Sequence, residues 1–249
     1  MIDSHCHLQD SRIFSAAADV VVRAEAAGVE TMVLGGVHPQ GWERQVQLRD
    51  RWGKLGISFG YHPQFLDRRP EDPLDFLEQW CRRHHPNAVG EVGLHRGEEL
   101  ELQKEAMEAQ LALAARLDLP VILHVVGAHG AALDILTRAD LRAGGVVHSF
   151  SGAPEVAKAY VALGLHVSFS GLVTRATARR AREAVPHIPP DRLLVETDSP
   201  DQVPHNCGQE LNEPAFLREV IDAVAALRGE DGEKVAMTTA ANARRLFWS

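Results

Sequence analysis

Asp3-Ser4-His5-Cys6-His7 begins two residues into the chain, directly after an apolar pair. In an extended strand successive side chains point to opposite faces, so this spacing predicts Asp3, His5 and His7 on one face and Cys6 on the other. Two imidazoles on one face can bind one divalent ion, and a carboxylate partner can fix the tautomer of such an imidazole. Two polar residues at a strand end are an equally good interpretation until the rest of the chain is considered.

Short apolar or β-branched runs resembling this first one recur along the chain. Their starts lie roughly 20 to 35 residues apart, as expected when each strand is followed by one crossover helix. Eight parallel strands of this kind predict a (β/α)8 TIM barrel, with an open doubly wound sheet as the alternative. The eight predicted strands are Met1–Cys6, Val29–Leu34, Leu55–Phe59, Ala88–Val92, Pro120–Leu123, Gly145–Val147, Leu165–Phe169 and Arg192–Val195.

Helical segments fit between and after these strands. The first is rich in Ala and Val and is followed by Gly28, a common stop signal. No linker, low-complexity tract or charge block divides the chain, so residues 1–249 are predicted to form one barrel domain. The clearest predicted helices are Ala16–Ala27, Glu98–Leu117, Pro214–Leu227 and Lys234–Phe247.

Composition narrows the class of protein further. A net charge of -8 gives no basic footprint for binding duplex nucleic acid, so any phosphate substrate must be held by local cations. Cys6, Cys81 and Cys207 are few, odd in number and widely spaced, which favours reduced thiols in a cytoplasmic protein. No signal sequence or long apolar run predicts insertion in a membrane, and no obligate protein partner is indicated.

The residues that can bind metal fall at the carboxyl ends of the predicted strands. In a barrel these ends converge on one mouth, where barrel enzymes place their chemistry. Other histidines lie in the crossovers and do not share this placement. The set consists of His5 and His7 after strand 1, Glu91 at strand 4, His124 at strand 5, His148 at strand 6 and Asp198 after strand 8.

Four imidazoles and two carboxylates exceed the needs of one tetrahedral ion, and Glu91 can bridge two ions through its two oxygens. Sites with two divalent ions activate water near neutral pH and stabilise the attacking and leaving oxygens of a displacement, which predicts hydrolysis. Asp198 is the candidate general base, with pure metal ligation as the competing role. The mixed ligands suit zinc, manganese, iron or magnesium.

Seven motifs in one order carry a family resemblance over essentially the whole chain. The chain resembles the TatD family of metal-dependent hydrolases, which are amidohydrolase-type barrels. The resemblance implies a (β/α)8 barrel, one or two divalent metal ions and phosphodiester hydrolysis, often as a deoxyribonuclease acting at DNA ends. The motifs are Asp3-Ser4-His5-Cys6-His7, Gly60-Tyr61-His62-Pro63, Gly90-Glu91-Val92-Gly93-Leu94, Pro120-Val121-Ile122-Leu123-His124, His148-Ser149-Phe150-Ser151-Gly152, Glu196-Thr197-Asp198-Ser199-Pro200 and Asn212-Glu213-Pro214.

The resemblance also implies roles for individual residues. By position, one ion is held by His5, His7, Glu91 and Asp198, and the other by Glu91, His124 and His148. His62 matches a motif residue near that site and is expected to contact substrate rather than metal. Glu91 and Asp198 are the two residues expected to be catalytic.

Four positions depart from the family pattern. Val126 and Leu211 stand where Arg is usual, Asp201 replaces an aromatic Tyr, and His95 replaces an Asp. Since guanidinium groups bind phosphate bidentately, the loss of these arginines is expected to weaken the binding of a phosphate substrate. Part of the phosphate binding can instead be supplied by His95, His205 or Arg175.

The leading hypothesis is a TatD-type deoxyribonuclease that acts on single-stranded DNA or another phosphodiester. The alternative retains the metal ions and hydrolyses a carboxylic ester, lactone or amide, as the changes at Val126, Leu211 and Asp201 would allow. A third hypothesis is a binding protein that holds metal without catalysis. His38 at the end of strand 2 could face the mouth, but it matches no motif and is interpreted as a loop residue. The Gly35-Gly36 pair after strand 2 lacks the further glycines and the helix context of a phosphate cradle.

Overall fold

The computed structural model describes residues 1–97, 99–205 and 207–248. Glu98, the first residue of a helix predicted above, and Ser249, the last residue of the predicted domain, lie outside these ranges.

Eight parallel strands form a single ring in chain order. Each predicted strand is present, within a few residues of its predicted bounds, and the (β/α)8 barrel is confirmed, whereas the open doubly wound sheet is wrong. The strands are β1 (Ile2–Cys6), β2 (Thr31–Leu34), β3 (Gly56–Phe59), β4 (Ala88–His95), β5 (Val121–Val126), β6 (Gly145–Val147), β7 (His166–Phe169) and β8 (Leu193–Val195).

Helices cover the outside of this ring. Pro stands in the first turn of α2, α3 and α6 as defined below, a position where its missing N–H costs no hydrogen bond. The helices are α1 (Ala17–Ala26), α2 (Pro39–Trp52), α3 (Pro73–His84), α4 (Leu100–Leu117), α5 (His129–Leu136), α6 (Pro154–Ala162), α7 (Arg179–Ala184), α8 (Leu217–Arg228) and α9 (Gly232–Phe247). No helix within the described ranges is long and apolar enough to cross a membrane.

The core has two layers that follow from strand alternation. Side chains such as Val89, Leu123 and Val147 face outward and pack beneath the helices. Their strand neighbours form a smaller buried cluster inside the barrel, to which α9 adds the side chains that close the amino-terminal end. This inner cluster consists of Ile2, Val33, Ala88, Ile122, Val146, Leu194, Ala240, Ala243, Leu246 and Phe247.

The ring closes between β8 and β1 through the loop that follows β8. The Ser4 hydroxyl donates to the carbonyl of Val195 at 3.0 Å. Beyond it, the backbone N–H of Asp198 donates to the carbonyl of His5 at 3.0 Å, and that of His7 donates to Ser199 at 2.7 Å. These bonds hold the residues around Asp198 against the His-x-His segment.

Strand β4 continues past its predicted end at Val92 and reaches His95. Gly93 directly follows the predicted end, and a Gly inside a strand often marks the close approach of another backbone. In the barrel Gly93 lies opposite His124 of β5, so close that an added Cβ would be 1.9 Å from the His124 carbonyl oxygen. Gly93 therefore permits close strand pairing, and Glu91 lies inside β4 rather than at its end.

His166 at the amino-terminal end of the barrel leads to a prediction about acid stability. Burial lowers its pKa from 6.5 to about 4. The unfolded chain therefore binds this proton first, and stability is lost as the pH falls from 6.5 to 4. We expect His166 to account for about 2 kcal/mol of the stability lost between pH 7 and pH 5. Urea unfolding at both pH values should show a smaller loss for His166→Gln, whereas the exposed His187→Gln should behave like the wild type.

Candidate metal centre

Six side chains converge at the carboxyl-terminal mouth of the barrel. They come from β1 and the residue after it, β4, β5, the residue after β6 and the loop after β8. Among the described residues, candidate ligand atoms within 4.8 Å of one another form three overlapping groups, which also include His62: His5, Glu91 and His148; His5, His7 and Asp198; and His62, Glu91 and His124.

Glu91 occupies the middle of this cluster, and its two oxygens face different residues. Oε1 lies 3.4 Å from Nε2 of both His5 and His7. Oε2 lies 2.8 Å from Nε2 of His148 and 3.5 Å from Nδ1 of His124. One carboxylate thus separates the cluster into two halves, the arrangement a bridging ligand requires.

The electrostatics of the cluster favour a bound cation. Glu91 is buried, and its Oε1 accepts no hydrogen bond from any residue within the described ranges. Burial opposes ionisation of Glu91, but the imidazoles of His148 and His5 hold its pKa well below the usual value. Burial would likewise lower the pKa of His7, yet Asp198 and Glu91 raise it to about 9. Divalent ions fit this donor set, because buried carboxylate charge is compensated by pairing or by metal coordination.

In three of the imidazoles, the nitrogen that points away from Glu91, called the outer nitrogen here, faces a group that can orient the ring. Nδ1 of His7 lies 3.1 Å from the Gly35 carbonyl oxygen, and Nδ1 of His148 lies 3.4 Å from Oε1 of Glu196. Nε2 of His124 lies 3.1 Å from Nδ1 of His95. When these outer nitrogens carry the proton, the inner nitrogens present lone pairs toward Glu91, as metal-binding histidines do.

Asp3 does not act as the predicted partner of an imidazole. Its carboxylate accepts from the backbone N–H of His5 at 3.2 Å, from the Thr197 N–H at 2.9 Å and from the Thr197 hydroxyl at 2.5 Å. The register of β1 shifts between Asp3 and Cys6, so simple alternation does not extend across this stretch. Asp3 instead ties β1 to the loop after β8.

Asp198 is held in place by its own loop. Its backbone has a φ of +58°, a left-handed conformation that Asp adopts more readily than most residues. Gln202 donates to Oδ2, which leaves Oδ1 facing His7 at 3.3 Å and His5 at 3.7 Å. Despite burial, the hydrogen bond from His7 and the nearby imidazoles lower the pKa of Asp198 to about 2, so it is a carboxylate at neutral pH.

The profile of the family described as "TatD related DNase" matches residues 2–248. The chain belongs to the TatD family of metal-dependent hydrolases. Over 99% of the chain, it is 32% identical to "Uncharacterized metal-dependent hydrolase YabD" of Bacillus subtilis, covering 98% of that protein. It is 33% identical to "3'-5' ssDNA/RNA exonuclease TatD" of Citrobacter koseri, again over 99% of the chain and 98% of the relative. The crystal structure of YjjV, a TatD homologue from Escherichia coli K12, superposes with a TM-score of 0.94 at 31% identity and covers 99% of this chain and 97% of that chain.

In this TatD-family barrel, a cleft of about 560 Å³ opens above the cluster. His62 lines it, with Nε2 3.9 Å from Oε2 of Glu91. His95 stacks on His124 instead, with ring centroids 5.4 Å apart. His205 is exposed and its backbone N–H donates to Thr174, while Arg175 donates to the Val203 carbonyl. Of the side chains predicted to contact substrate, His62 is the one that lines the cleft.

Sequence reasoning missed several residues that support the TatD-family cluster. Gln9 donates to the Gly35 carbonyl at 2.5 Å beside His7, Glu196 lies behind His148, and Gln202 holds Asp198. Glu196 belongs to the Glu196–Pro200 motif, but the family resemblance implies no role for it. The two Gln residues carry no local signal, since their partners are distant in sequence or depend on the turn of the loop.

The sequence predicts no role for Gly35, yet the histidine pair packs directly against it. A Cβ at Gly35 would lie 2.2 Å from Cε1 and 2.7 Å from Nε2 of His5, and 2.9 Å from Cε1 of His7. The observed positions of both histidine rings are possible only because residue 35 has no side chain. A Gly-Gly pair at the end of a strand beside a His-x-His strand is the signal that would have identified it.

We expect Gly35→Ala to weaken metal binding by about 10- to 100-fold, because the added methyl group displaces the His5 ring, much as a lost orienting contact would. Competition against a chromophoric chelator measures this affinity. Gly41→Ala is the matched control, since its Cβ would meet only Gln9 Cγ at 3.6 Å, an ordinary contact. Equal affinities for the two variants would contradict the prediction.

Proposed function

We propose that this protein hydrolyses phosphodiester bonds at the ends of single-stranded nucleic acid, using two divalent ions. The observation that carries the proposal is the placement of Glu91, whose Oε1 and Oε2 face two separate sets of imidazoles. A relative at 33% identity is named as a single-stranded DNA/RNA exonuclease, which supports the same substrate class. We also propose a cytoplasmic location, where the three free cysteines are reduced.

In this proposal Glu91 would contribute one oxygen to each of the two ions. His5, His7 and Asp198 would complete one set of ligands, and His124 and His148 would complete the other. Divalent ions at these positions would polarise the phosphoryl oxygens and lower the pKa of the attacking water. Zinc, manganese and magnesium are the candidate metals for such nitrogen and oxygen ligands.

Asp198 acts as the general base. It is ionised at neutral pH, and Gln202 fixes one of its oxygens. The other oxygen faces the centre of the cluster, where the attacking water must lie. Asp198 takes a proton from this water as the new bond to phosphorus forms, and it returns the proton to the leaving oxygen as the old bond breaks.

His62 donates a hydrogen bond to the scissile phosphate. Its Nδ1 accepts from the backbone N–H of Gln64 at 3.1 Å, so the neutral ring carries its proton on Nε2. Burial lowers the pKa of His62 to about 3, which keeps the ring neutral. A protonated Nε2 cannot bind metal, so His62 is assigned to substrate although its ring lies among the candidate ligands.

The proposal is tested with protein reconstituted separately with zinc, manganese and magnesium. We expect release of nucleotides from the 3′ end of single-stranded DNA in at least one metal state. The same preparations are assayed against a panel of carboxylic esters, lactones and amides. Turnover in that panel, with metal bound and no phosphodiester cleaved, would contradict the proposal.

A further inference from the structure

The cleft above the metal cluster extends toward one side of the barrel mouth. Apart from the cluster itself and Asp201, its walls come from the loop after β1, the start of α2 and the segment after β3. Val126 and Leu211, where the family usually has Arg, are not among the lining residues. The cations available on this side of the cleft must therefore come from the residues that do line it.

Two arginines on this wall have guanidinium groups that pair with no acidic side chain among the described residues. Nη1 of Arg44 donates to the Gln9 carbonyl at 3.2 Å, and its Cζ lies 4.9 Å from the ring centroid of Phe14. Arg68 packs on Phe65 in the same way, at 4.7 Å. Within the described ranges neither arginine forms an ion pair with a carboxylate. Each is fixed by an aromatic ring and keeps most of its five N–H donors for a ligand.

Arg12 lines the same cleft, but its charge is already balanced. Its guanidinium donates to both oxygens of Asp201, at 2.8 and 2.7 Å, and to Asp10 at 3.0 and 2.9 Å. Two carboxylates surround one cation there. The unbalanced positive charge of the cleft wall therefore belongs to Arg44 and Arg68.

His38 contacts Arg68 and is also affected by the charge of Arg44. Nη1 of Arg68 lies 3.3 Å from its Nε2. Burial and the charges of Arg68 and Arg44 hold its pKa below the ordinary value, with only Asp67 acting in the opposite direction. His38 lies in the loop before α2, as the sequence predicted, and its side chain also lines the cleft.

We propose that Arg44 and Arg68 form a subsite for the phosphate groups that neighbour the scissile one in single-stranded nucleic acid. The inference rests on the proposed function and names the residues that hold the chain of the substrate. Guanidinium groups suit this role because they bind phosphate bidentately. A chain with a net charge of -8 needs such local cations to hold a polyanion.

The first test separates subsite binding from chemistry. Wild type, Arg44→Gln, Arg68→Gln and the double variant are assayed on a single-stranded oligonucleotide and on bis(p-nitrophenyl) phosphate, a phosphodiester without neighbouring phosphates. We expect each arginine variant to raise KM for the oligonucleotide about tenfold, the loss of one charged hydrogen bond, with kcat unchanged. Turnover of the small diester should remain at the wild-type level. Arg180→Gln, an exposed arginine of α7 that does not line the cleft, is the matched control.

The second test measures binding without turnover. Fluorescence anisotropy of a labelled oligonucleotide is followed against salt concentration in an Asp198→Asn background. The slope of log affinity against log salt should become shallower by about 0.7 for each arginine removed, the value for one phosphate contact on a single strand. Unchanged KM and unchanged slope in the double variant would overturn the inference. A wild type that binds the oligonucleotide through these arginines but cleaves neither diester would instead overturn the proposed function.

Discussion

Asp198→Asn is expected to lower kcat for phosphodiester hydrolysis by about 10³-fold, within the range for loss of a general base. The substitution preserves shape and leaves an oxygen that can accept from Gln202, so the loop after β8 keeps its conformation. It removes the negative charge that takes the proton from water. Steady-state kinetics with each metal measures kcat, and elemental analysis confirms that metal is bound.

Asp201→Asn is the control for this variant. Asp201 also lines the cleft, but it is exposed and pairs with Arg12 rather than with the histidines. Since exposed ion pairs contribute little free energy, we expect kcat within about fivefold of the wild type. A metal-loaded Asp198→Asn protein that retained as much activity as this control would contradict the role of Asp198 as base.

Glu91→Gln is expected to reduce the bound metal from two ions to one per chain and to lower kcat by about 10³-fold or more, since it removes several kcal/mol of charge stabilisation. Glu91 directs Oε1 toward His5 and His7 and Oε2 toward His124 and His148, so its two oxygens face both halves of the cluster. An amide has one oxygen and no charge, so it cannot bridge. Elemental analysis after dialysis gives the stoichiometry.

Glu196→Gln is the control for Glu91→Gln, because Glu196 orients a histidine of the cluster but does not itself face the two metal positions. Glu196 is fully buried, accepts from the Ser149 N–H at 2.6 Å and lies behind His148. Its loss should weaken metal binding by about 10- to 100-fold while two ions still bind at saturation. Two ions bound to Glu91→Gln at saturating metal would show that Glu91 does not bridge.

The fold was predictable because its signals are local. Each strand is a short run of apolar residues, and the ligand-type residues recur at the ends of these runs, as His148 does after β6. The extent of β4 was not predictable, since the close approach of Gly93 to His124 depends on pairing with β5.

Much of the site could not be predicted from the sequence, because it also depends on contacts between distant segments. Arg44 and Arg68 lie on a helix and on a short turn, and nothing in their neighbourhood indicates that they face the metal cluster. The resemblance to the family drew attention to the missing cations at Val126 and Leu211, on a part of the mouth that does not line the cleft. The sequence gives the residue types, but it does not give the direction in which each side chain points in the folded barrel.

The apolar side chains with which α9 closes the amino-terminal end of the barrel, called the plug here, should affect natural variation in this chain. Leu246 and Phe247 seal one end of the barrel, and the metal cluster occupies the other, so stability and chemistry depend on separate ends of the same strands. Substitutions in the plug should reduce the cellular abundance of the protein while leaving the surviving molecules with normal specificity. Substitutions in residues 37–44 and 62–68 should change substrate preference at constant abundance. The two groups of variants would evolve almost independently.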